Sequence, residues 1–270
     1  MSGAPQRVPP VPAVLRLVQL AVLGKWRATG DDLYREVARL TEAGPGREII
    51  VSGCGDGSTT EWLVKRTGAS VTGVDSNPEV IDAAERRARS AGAGQRLHYQ
   101  HAALEDLPHE TAVFDVAIGE PALAGTDDPA RAVKELVRVT RSMGTVLLLQ
   151  PTWSSEITPA TKEMLDERYA LRPHLLVEWK QMLRDAGVVE LEVQDWTSGG
   201  PGARTGEHSA ITSALSWKDK ARIVSRAWRR GWRGARGALE QEANLLRELS
   251  RERAIGFQLI KGVKWHPSPS

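Results

Sequence analysis

Between residues 48 and 149 the sequence alternates short apolar runs with longer segments in which apolar residues recur every three or four positions. Short apolar runs predict buried strands, and the longer segments predict amphipathic helices. Regular alternation of the two predicts a parallel sheet with helices on both faces, because parallel strands need a long crossover between them. The predicted strands are Ile49–Val51, Val71–Val74, Leu97–Gln100, Phe114–Ile118 and Thr145–Leu149. The predicted helices in this range are Thr59–Arg66, Pro78–Ala91 and Pro129–Val139, and a further helix is predicted before it, over Asp31–Glu42.

A helix over Leu176–Ala186 and strands over Val188–Val193 and Gly256–Val263 follow, so that we expect a mixed sheet of seven strands.

The composition, with 41% hydrophobic and 26% charged residues, is that of a globular protein. One cysteine, Cys54, excludes an internal disulfide framework and a cysteine-rich metal cluster. No metal site is expected, because six scattered histidines show no ligand spacing. No run reaches the roughly 20 apolar residues that cross a bilayer.

Three glycines, Gly53, Gly55 and Gly57, follow the first predicted strand and precede a helix. Glycines let a ligand lie against bare backbone, and the N-terminus of a helix offers free N–H groups. Asp75 ends the second strand, where a carboxylate can accept hydrogen bonds from the two hydroxyls of a ribose. Together these features predict an adenosine-type cofactor. The dinucleotide fingerprint needs a glycine at position 58, and Ser58 stands there, which disfavours a nicotinamide-dependent oxidoreductase.

At this point the sequence resembles the class I S-adenosylmethionine-dependent methyltransferases, in particular the small-molecule group similar to the ubiquinone and menaquinone C-methyltransferases. The resemblance spans about residues 45–195. It implies a Rossmann-like methyltransferase fold and methyl transfer from S-adenosylmethionine to a small, partly apolar organic acceptor. The segments that carry it are Gly53-Cys54-Gly55-Asp56-Gly57, Gly73-Val74-Asp75-Ser76-Asn77-Pro78, Leu104-Glu105-Asp106-Leu107-Pro108, Phe114-Asp115-Val116-Ala117-Ile118, the helix Ala132–Val139 and the strand Val146–Leu149.

The same resemblance implies a set of cofactor-binding residues. Asp75 would hold the ribose and Ser76 the adenine edge, with Leu104 and Glu105 on the other side of the adenine. The full expected set is Ser52, Gly53, Gly55, Gly57, Asp75, Ser76, Leu104, Glu105 and Gly119.

Two departures from the family pattern bear on cofactor affinity. Val51 and Ala103 stand where the family usually has acids, so charged anchors are missing there. Asp56 and Glu120 are candidate substitutes. These departures keep open a non-catalytic binding module built on the same fold.

Glu120 is the candidate catalytic residue, because it follows the fourth strand at the carboxyl edge of the sheet, where the sites of α/β proteins lie. A base is needed only if the acceptor holds its proton at neutral pH. The alternative is a solvated loop carboxylate. His101 and His174 are less favoured bases.

The segment 217–239 places Trp217, Trp228 and Trp232 on one helical face, and residues 217–236 hold eight basic side chains against one acid. We expect a helical cap that closes the acceptor pocket, with the N-terminal helices helping to cover the carboxyl edge. The alternative is a peripheral contact with an anionic membrane, and nucleic acid is disfavoured. The expected organisation is 1–45 (tail and cap helices), 46–198 (cofactor-binding core), 199–254 (cap insertion) and 255–270 (last strand and tail), in a cytoplasmic or membrane-proximal protein.

Overall fold

The structure, a computed structural model, describes residues 30–55, 57–90, 95–153, 158–159, 163, 172, 174–196 and 255–265. Within these ranges the strands are β1 (Glu48–Ser52), β2 (Ser70–Asp75), β3 (Leu97–His101), β4 (Phe114–Gly119), β5 (Thr140–Trp153), β6 (His174–Leu175), β7 (Val188–Asp195) and β8 (Ile255–Lys264). The α-helices are α1 (Gly30–Thr41), α2 (Ser58–Thr67), α3 (Pro78–Ser90), α4 (Pro129–Val139) and α5 (Leu176–Asp185). A 3₁₀ turn spans Pro121–Gly125.

The strands form one mixed sheet in the order β3-β2-β1-β4-β5-β8-β7. The first five strands are parallel, and β8 runs antiparallel between β5 and β7. The expected seven-stranded mixed sheet is confirmed, and the two-residue strand β6 pairs with β5 outside this order. Since β1, β2 and β4 are parallel neighbours, the glycine loop, Asp75 and Glu120 all follow strands at the same edge, the carboxyl edge.

Alternating side chains of the strands fill two apolar cores, one on each face. Ile49 and Val51 of β1 lie in the first core with residues of α1, α2 and α3. Ile50 lies in the second core with residues of α4 and α5. Helices therefore cover both faces, as expected.

The helix ends follow from local chemistry. Asp128 caps α4, since its side chain accepts from the N–H of Arg131 at 2.9 Å, and Pro129 occupies the first turn. Gly68 ends α2 in the left-handed conformation with φ of 77°. The Glu178 carboxylate accepts from the N–H of Leu175 at the start of α5.

Strand β5 is longer than the predicted Thr145–Leu149. Phe114 of β4 pairs with Thr140, whereas Val116 pairs with Thr145, so residues 141–144 bulge from the strand. Met143, with φ of 61°, adopts the left-handed conformation of a tight turn. The sequence at 141–144 thus forms a turn that is built into β5. At the other end β5 continues past the last residue of β4 to Trp153.

The expectation that the N-terminal helices cover the carboxyl edge is corrected for α1. Its apolar residues Leu33, Val37 and Leu40 are buried in the first core, so that helix packs on a face of the sheet. Residues 1–29 of the expected N-terminal tail and cap helices, the expected cap insertion 199–254 and Asp56 lie outside the described residues.

Candidate functional site

The three glycines of the loop after β1 have three different surroundings. A Cβ on Gly53 would stand 2.7 Å from the Cβ of Ala122, so the 3₁₀ turn packs directly on this glycine. A Cβ on Gly57 would overlap the hydroxyl oxygen of Tyr99. A Cβ on Gly55 would meet no atom of the described residues within 4 Å, its chain neighbours aside. All three have positive φ (78°, 52° and 76°), and only Gly55 faces open space that a ligand can enter.

Asp75 connects the end of β2 to this loop. One carboxylate oxygen accepts from the N–H of Gly55 at 2.9 Å, and the other accepts from the N–H of Asn77 at 2.9 Å. The side chain is buried, with 6% of its surface exposed. Each oxygen keeps a further lone pair for a ligand hydroxyl, because a carboxylate can accept about four hydrogen bonds.

A chain of hydroxyl groups supports the loop from β3. The Thr60 hydroxyl donates to the carbonyl of Gly57 at 2.7 Å, so its oxygen is left to accept from the Tyr99 hydroxyl, also at 2.7 Å. Burial raises the pKa of Tyr99 to about 12, and the hydrogen bond with Thr60 opposes that shift. Tyr99 is therefore a protonated donor at neutral pH.

A second polar group gathers where β4 ends. The N–H of Glu120 donates to the carbonyl of Ser52 at 2.9 Å. The Gln150 side-chain NH₂ donates to the carbonyls of Gly119 at 3.1 Å and Glu120 at 2.8 Å. Glu120 is 7% exposed, which does not fit the alternative of a solvated loop carboxylate.

Within the described part of the chain, the Ser52 hydroxyl and the Gln150 side-chain carbonyl of this group are buried without a hydrogen-bond partner. Ser52 pairs with Gly119 in the sheet, and Gln150 lies two residues beyond Leu148, the other partner of Gly119. Because side chains alternate along a strand with a period of two, the side chains of Ser52 and Gln150 lie on the same face of the sheet. Gly119, which has no side chain, lies between them. Buried oxygens without partners are rare in proteins and call for an explanation.

The remaining expected cofactor residues follow β2 and β3. Ser76 is exposed, and its carbonyl lies 3.1 Å from the Nε2 of His101. Glu105 accepts from the N–H of Asp127 at 3.2 Å, so it is held against the loop before α4. Leu104 is 1% exposed within the second core. The structure thus brings Ser52, Asp75, Glu120 and the glycine loop together at the ends of adjacent strands, with Ser76 and Glu105 further out.

Two positions carry apolar residues where the resemblance implies acids. Val51 is fully buried in the first core, and Ala103 is exposed. His174 lies against Trp179, with ring centroids 5.2 Å apart, and its Nδ1 is 3.5 Å from Glu178. Across the described residues no three His, Cys, Asp or Glu side chains cluster as metal ligands would. No helix among them is long and apolar enough to cross a membrane.

Sequence reasoning missed Gln150, Thr60 and Tyr99. Gln150 carried a usable signal, since it is a polar residue between the apolar run Val146–Leu149 and a proline. Tyr99 and Thr60 carried none, because their contact joins residues 39 positions apart.

Comparison with known proteins gives the following matches. Residues 50–148 match the family model described as a methyltransferase domain. The O-methyltransferase cnsE of Penicillium expansum is 30% identical over 169 residues, which cover 62% of this chain and 60% of that protein. The chain therefore spans about three fifths of the length of that curated relative.

Two solved structures show the same fold. A putative sarcosine dimethylglycine methyltransferase from Galdieria sulphuraria superposes with a TM-score of 0.69 at 16% identity, covering 87% of this chain and 85% of that one. The [4+2]-cyclase SpnF superposes with a TM-score of 0.67 at 20% identity, covering 88% and 81%. The chain therefore has the Rossmann-like methyltransferase fold, and its residues 50–148 match the methyltransferase domain.

Proposed function

We propose that the protein transfers a methyl group from S-adenosylmethionine to a small organic acceptor. The observation that carries the proposal is the carboxyl edge between β1 and β2, where Asp75 fixes a glycine loop that is open at Gly55. The match of residues 50–148 to the methyltransferase domain supports it independently. S-adenosylmethionine supplies a methyl group on a positively charged sulfur, which reacts with a positioned nucleophile.

The residues present fit this cofactor. Asp75 has free lone pairs for two ribose hydroxyls, and Gly55 leaves room for a ligand against the backbone. Gly53 and Gly57 act in a different way, because their lack of a Cβ admits Ala122 and Tyr99. We propose that Ser52 and Gly119 line the same site, and that Ser76, Leu104 and Glu105 flank the adenine. Leu104 would do so through its backbone, since its side chain is buried.

We propose that Glu120 lies beside the reacting group. Its backbone is fixed on both sides, by the Ser52 carbonyl and by the Gln150 NH₂ group, so the carboxyl group starts from a defined position. A buried carboxylate of this kind can take a proton from a phenol or a carbon acid. The similar proteins include an O-methyltransferase and an N-methyltransferase, so the acceptors to be tested carry both kinds of atom.

Two measurements test the proposal. Calorimetry should detect binding of S-adenosylmethionine and S-adenosylhomocysteine and no binding of NAD. Transfer of label from methyl-labelled S-adenosylmethionine should then be found in a panel of quinols, phenols and secondary amines; the quinols represent the ubiquinone and menaquinone group that the motifs resemble. Binding of NAD in place of S-adenosylhomocysteine would refute the proposal.

A second candidate function is a protein that binds the cofactor without methylating. The buried Val51 and the exposed Ala103 favour it, because neither provides the charge usual at its position. The fold is shared with a [4+2]-cyclase, and a fold does not fix an activity. Tight binding of S-adenosylhomocysteine with no labelled product from the whole panel would select this candidate.

We propose that residues 199–254, with their basic, Trp-rich part at 217–239, cap the acceptor site, and that the protein works in the cytoplasm or beside a membrane. The support is topological. This segment leaves after β7 and returns at β8, where Asp195 pairs with Gln258, so both of its ends are anchored at the carboxyl edge.

Salt-sensitive co-sedimentation with anionic vesicles, lost when Arg229 and Arg233 are both changed to Gln, would indicate the membrane contact.

A further inference from the structure

Gln150 combines complete burial with an unsatisfied oxygen. None of its side chain is exposed, and both protons of its NH₂ group are used by the carbonyls of Gly119 and Glu120. Its Oε1 has no partner among the residues that the structure describes. Leaving a buried acceptor unpaired destabilises a folded protein. The side chain is therefore held in an arrangement that costs stability unless something else donates to it.

The orientation of this amide is determined by its neighbours. If the amide were flipped, Oε1 would face two carbonyl oxygens that cannot donate a hydrogen bond, and the NH₂ group would lose both acceptors. Strand β4 ends at Gly119, opposite Leu148, while β5 continues, so Gln150 lies beside the place where β4 has ended. The Oε1 atom is thus a fixed acceptor at the carboxyl edge.

The strand order indicates which ligand would reach Gln150. Asp75 ends β2, and β1 and β4 lie between β2 and β5. Three strand intervals correspond to about 14 Å, so Gln150 is far from the residues proposed for ribose and adenine. It is close to the point where the proposed cap 199–254 joins β8, because Trp153, three residues after Gln150, pairs with Ile255 at the start of β8.

We propose that Gln150 Oε1 accepts a hydrogen bond from an O–H or N–H group of a bound ligand, and that this ligand is the methyl acceptor. The assignment rests on the proposed function and narrows its substrate class to acceptors that carry a hydroxyl or an N–H group. The unpaired Ser52 hydroxyl lies on the same face beyond Gly119 and can make a second contact with the same ligand. The other source of such a donor is the ammonium group of the cofactor.

The test uses two probes that differ in one donor, phenol and anisole, titrated by NMR into protein saturated with S-adenosylhomocysteine. We expect the wild type to bind phenol about fivefold more tightly than anisole, which corresponds to one neutral hydrogen bond. The Gln150→Met variant should bind both equally. The Gln150→Glu variant should keep the preference at a pH where the new carboxyl group is protonated, because it then donates to one carbonyl and keeps an acceptor.

The matched control is Gln194→Met, since the Gln194 amide bonds Glu36 and Trp196 within the chain and should not affect either probe. Unfolding midpoints establish that each variant is folded. A fivefold loss of S-adenosylhomocysteine affinity in Gln150→Met, with an unchanged probe ratio, would assign the donor to the cofactor and reject the acceptor. The proposal is overturned if Gln150→Met keeps both its cofactor affinity and its preference for phenol. It is also overturned if cofactor affinity is unchanged in that variant and the wild type binds neither probe.

The experiment also separates this inference from the proposed function. If the wild type does not bind S-adenosylhomocysteine, the proposed function fails. The phenol to anisole ratio can still be measured in the unloaded protein, and it then decides whether Gln150 receives a donor.

Discussion

The two sides of the carboxyl edge differ in how their polar groups are satisfied. On the β1–β2 side, Asp75 and the hydroxyls of Thr60 and Tyr99 are bonded within the chain. On the other side, where β1, β4 and β5 end, the oxygens of Ser52 and Gln150 are buried and have no partner among the described residues. The first side is already organised without a ligand, as the proposed cofactor site requires. The second side is incomplete without a donor, as the proposed acceptor site requires.

The largest expected effect comes from filling the open space at Gly55. In Gly55→Val the side chain would enter the proposed cofactor space, and S-adenosylhomocysteine affinity should fall more than about 100-fold. The change also strains the left-handed backbone by about 1–2 kcal/mol. Gly46→Val is the matched control, because Gly46 has φ of 80° and open surroundings away from the site. Both variants should lose similar stability, and only Gly55→Val should lose calorimetric binding; equal affinities would make the loop merely structural.

The next effect concerns the carboxylate that organises the β1–β2 side. Asp75→Ala removes an acceptor for the Gly55 and Asn77 N–H groups and for the ribose, so affinity for S-adenosylhomocysteine should fall about 10- to 100-fold, in line with charged hydrogen bonds of about 1.5–3 kcal/mol. Asp115→Ala is the control at the opposite edge, where Asp115 accepts from the N–H of Glu48 and pairs with Arg141. It should lower the unfolding midpoint and leave binding unchanged. Binding lost equally in both variants would show a general loss of structure.

A pair of hydroxyl deletions tests the comparison directly. Thr60→Val removes a bonded buried hydroxyl and should cost about 1–2 kcal/mol of unfolding free energy. Ser52→Ala removes an unpaired one, so the unfolding free energy should stay the same or rise by up to about 1 kcal/mol. Denaturant unfolding measures both. Destabilisation by Ser52→Ala as large as that by Thr60→Val would remove the difference between the two sides.

The smallest effect is that of the Tyr99 hydroxyl. Tyr99→Phe keeps the ring but loses the bond to Thr60, so affinity for S-adenosylhomocysteine should fall about fivefold, equivalent to about 1 kcal/mol. Because burial raises the pKa of Tyr99 to about 12, the neutral form is favoured by folding. The stability that the neutral Tyr99 hydroxyl contributes is fully present below the pKa of tyrosine in the unfolded chain, near 10. It is lost as the pH rises through the pKa of Tyr99 in the folded protein. The ratio of wild-type to variant affinity should therefore stay constant from pH 7 to 9, and a decline across that range would contradict the assignment.

The sequence predicted the elements well where hydrophobic periodicity determines structure. The parallel strands and their helices are confirmed to within a few residues, since each buries an apolar run such as Ile49–Val51. The extension of β5 was missed, because Met143 adopts a backbone conformation that is unusual for Met and allows the strand to begin earlier. The 3₁₀ turn at Pro121–Gly125 was missed for lack of a periodic pattern over five residues.

The site was predictable only in part. The glycine spacing and Asp75 gave the position of the loop, because a short motif carries that information locally. It did not give the reasons for the individual glycines, since Ala122 and Tyr99 approach them from distant parts of the chain. The unpaired oxygens of Ser52 and Gln150 are also a property of packing, and no pattern of residue types indicates which buried oxygen lacks a partner.

The position of β8 has a consequence for synthesis of the chain. This strand lies between β5 and β7, yet it is made after both. At roughly 5–20 residues per second, the ribosome needs about 3–12 s to add the 60 residues from the end of β7 to the start of β8. During that interval β5 lacks a neighbour on one side, and an unpaired strand edge invites association with other chains. The nascent protein thus passes through a state in which β5, the longest of the described strands, has one unpaired edge, and chaperone binding should be strongest for chains that stop before Ile255.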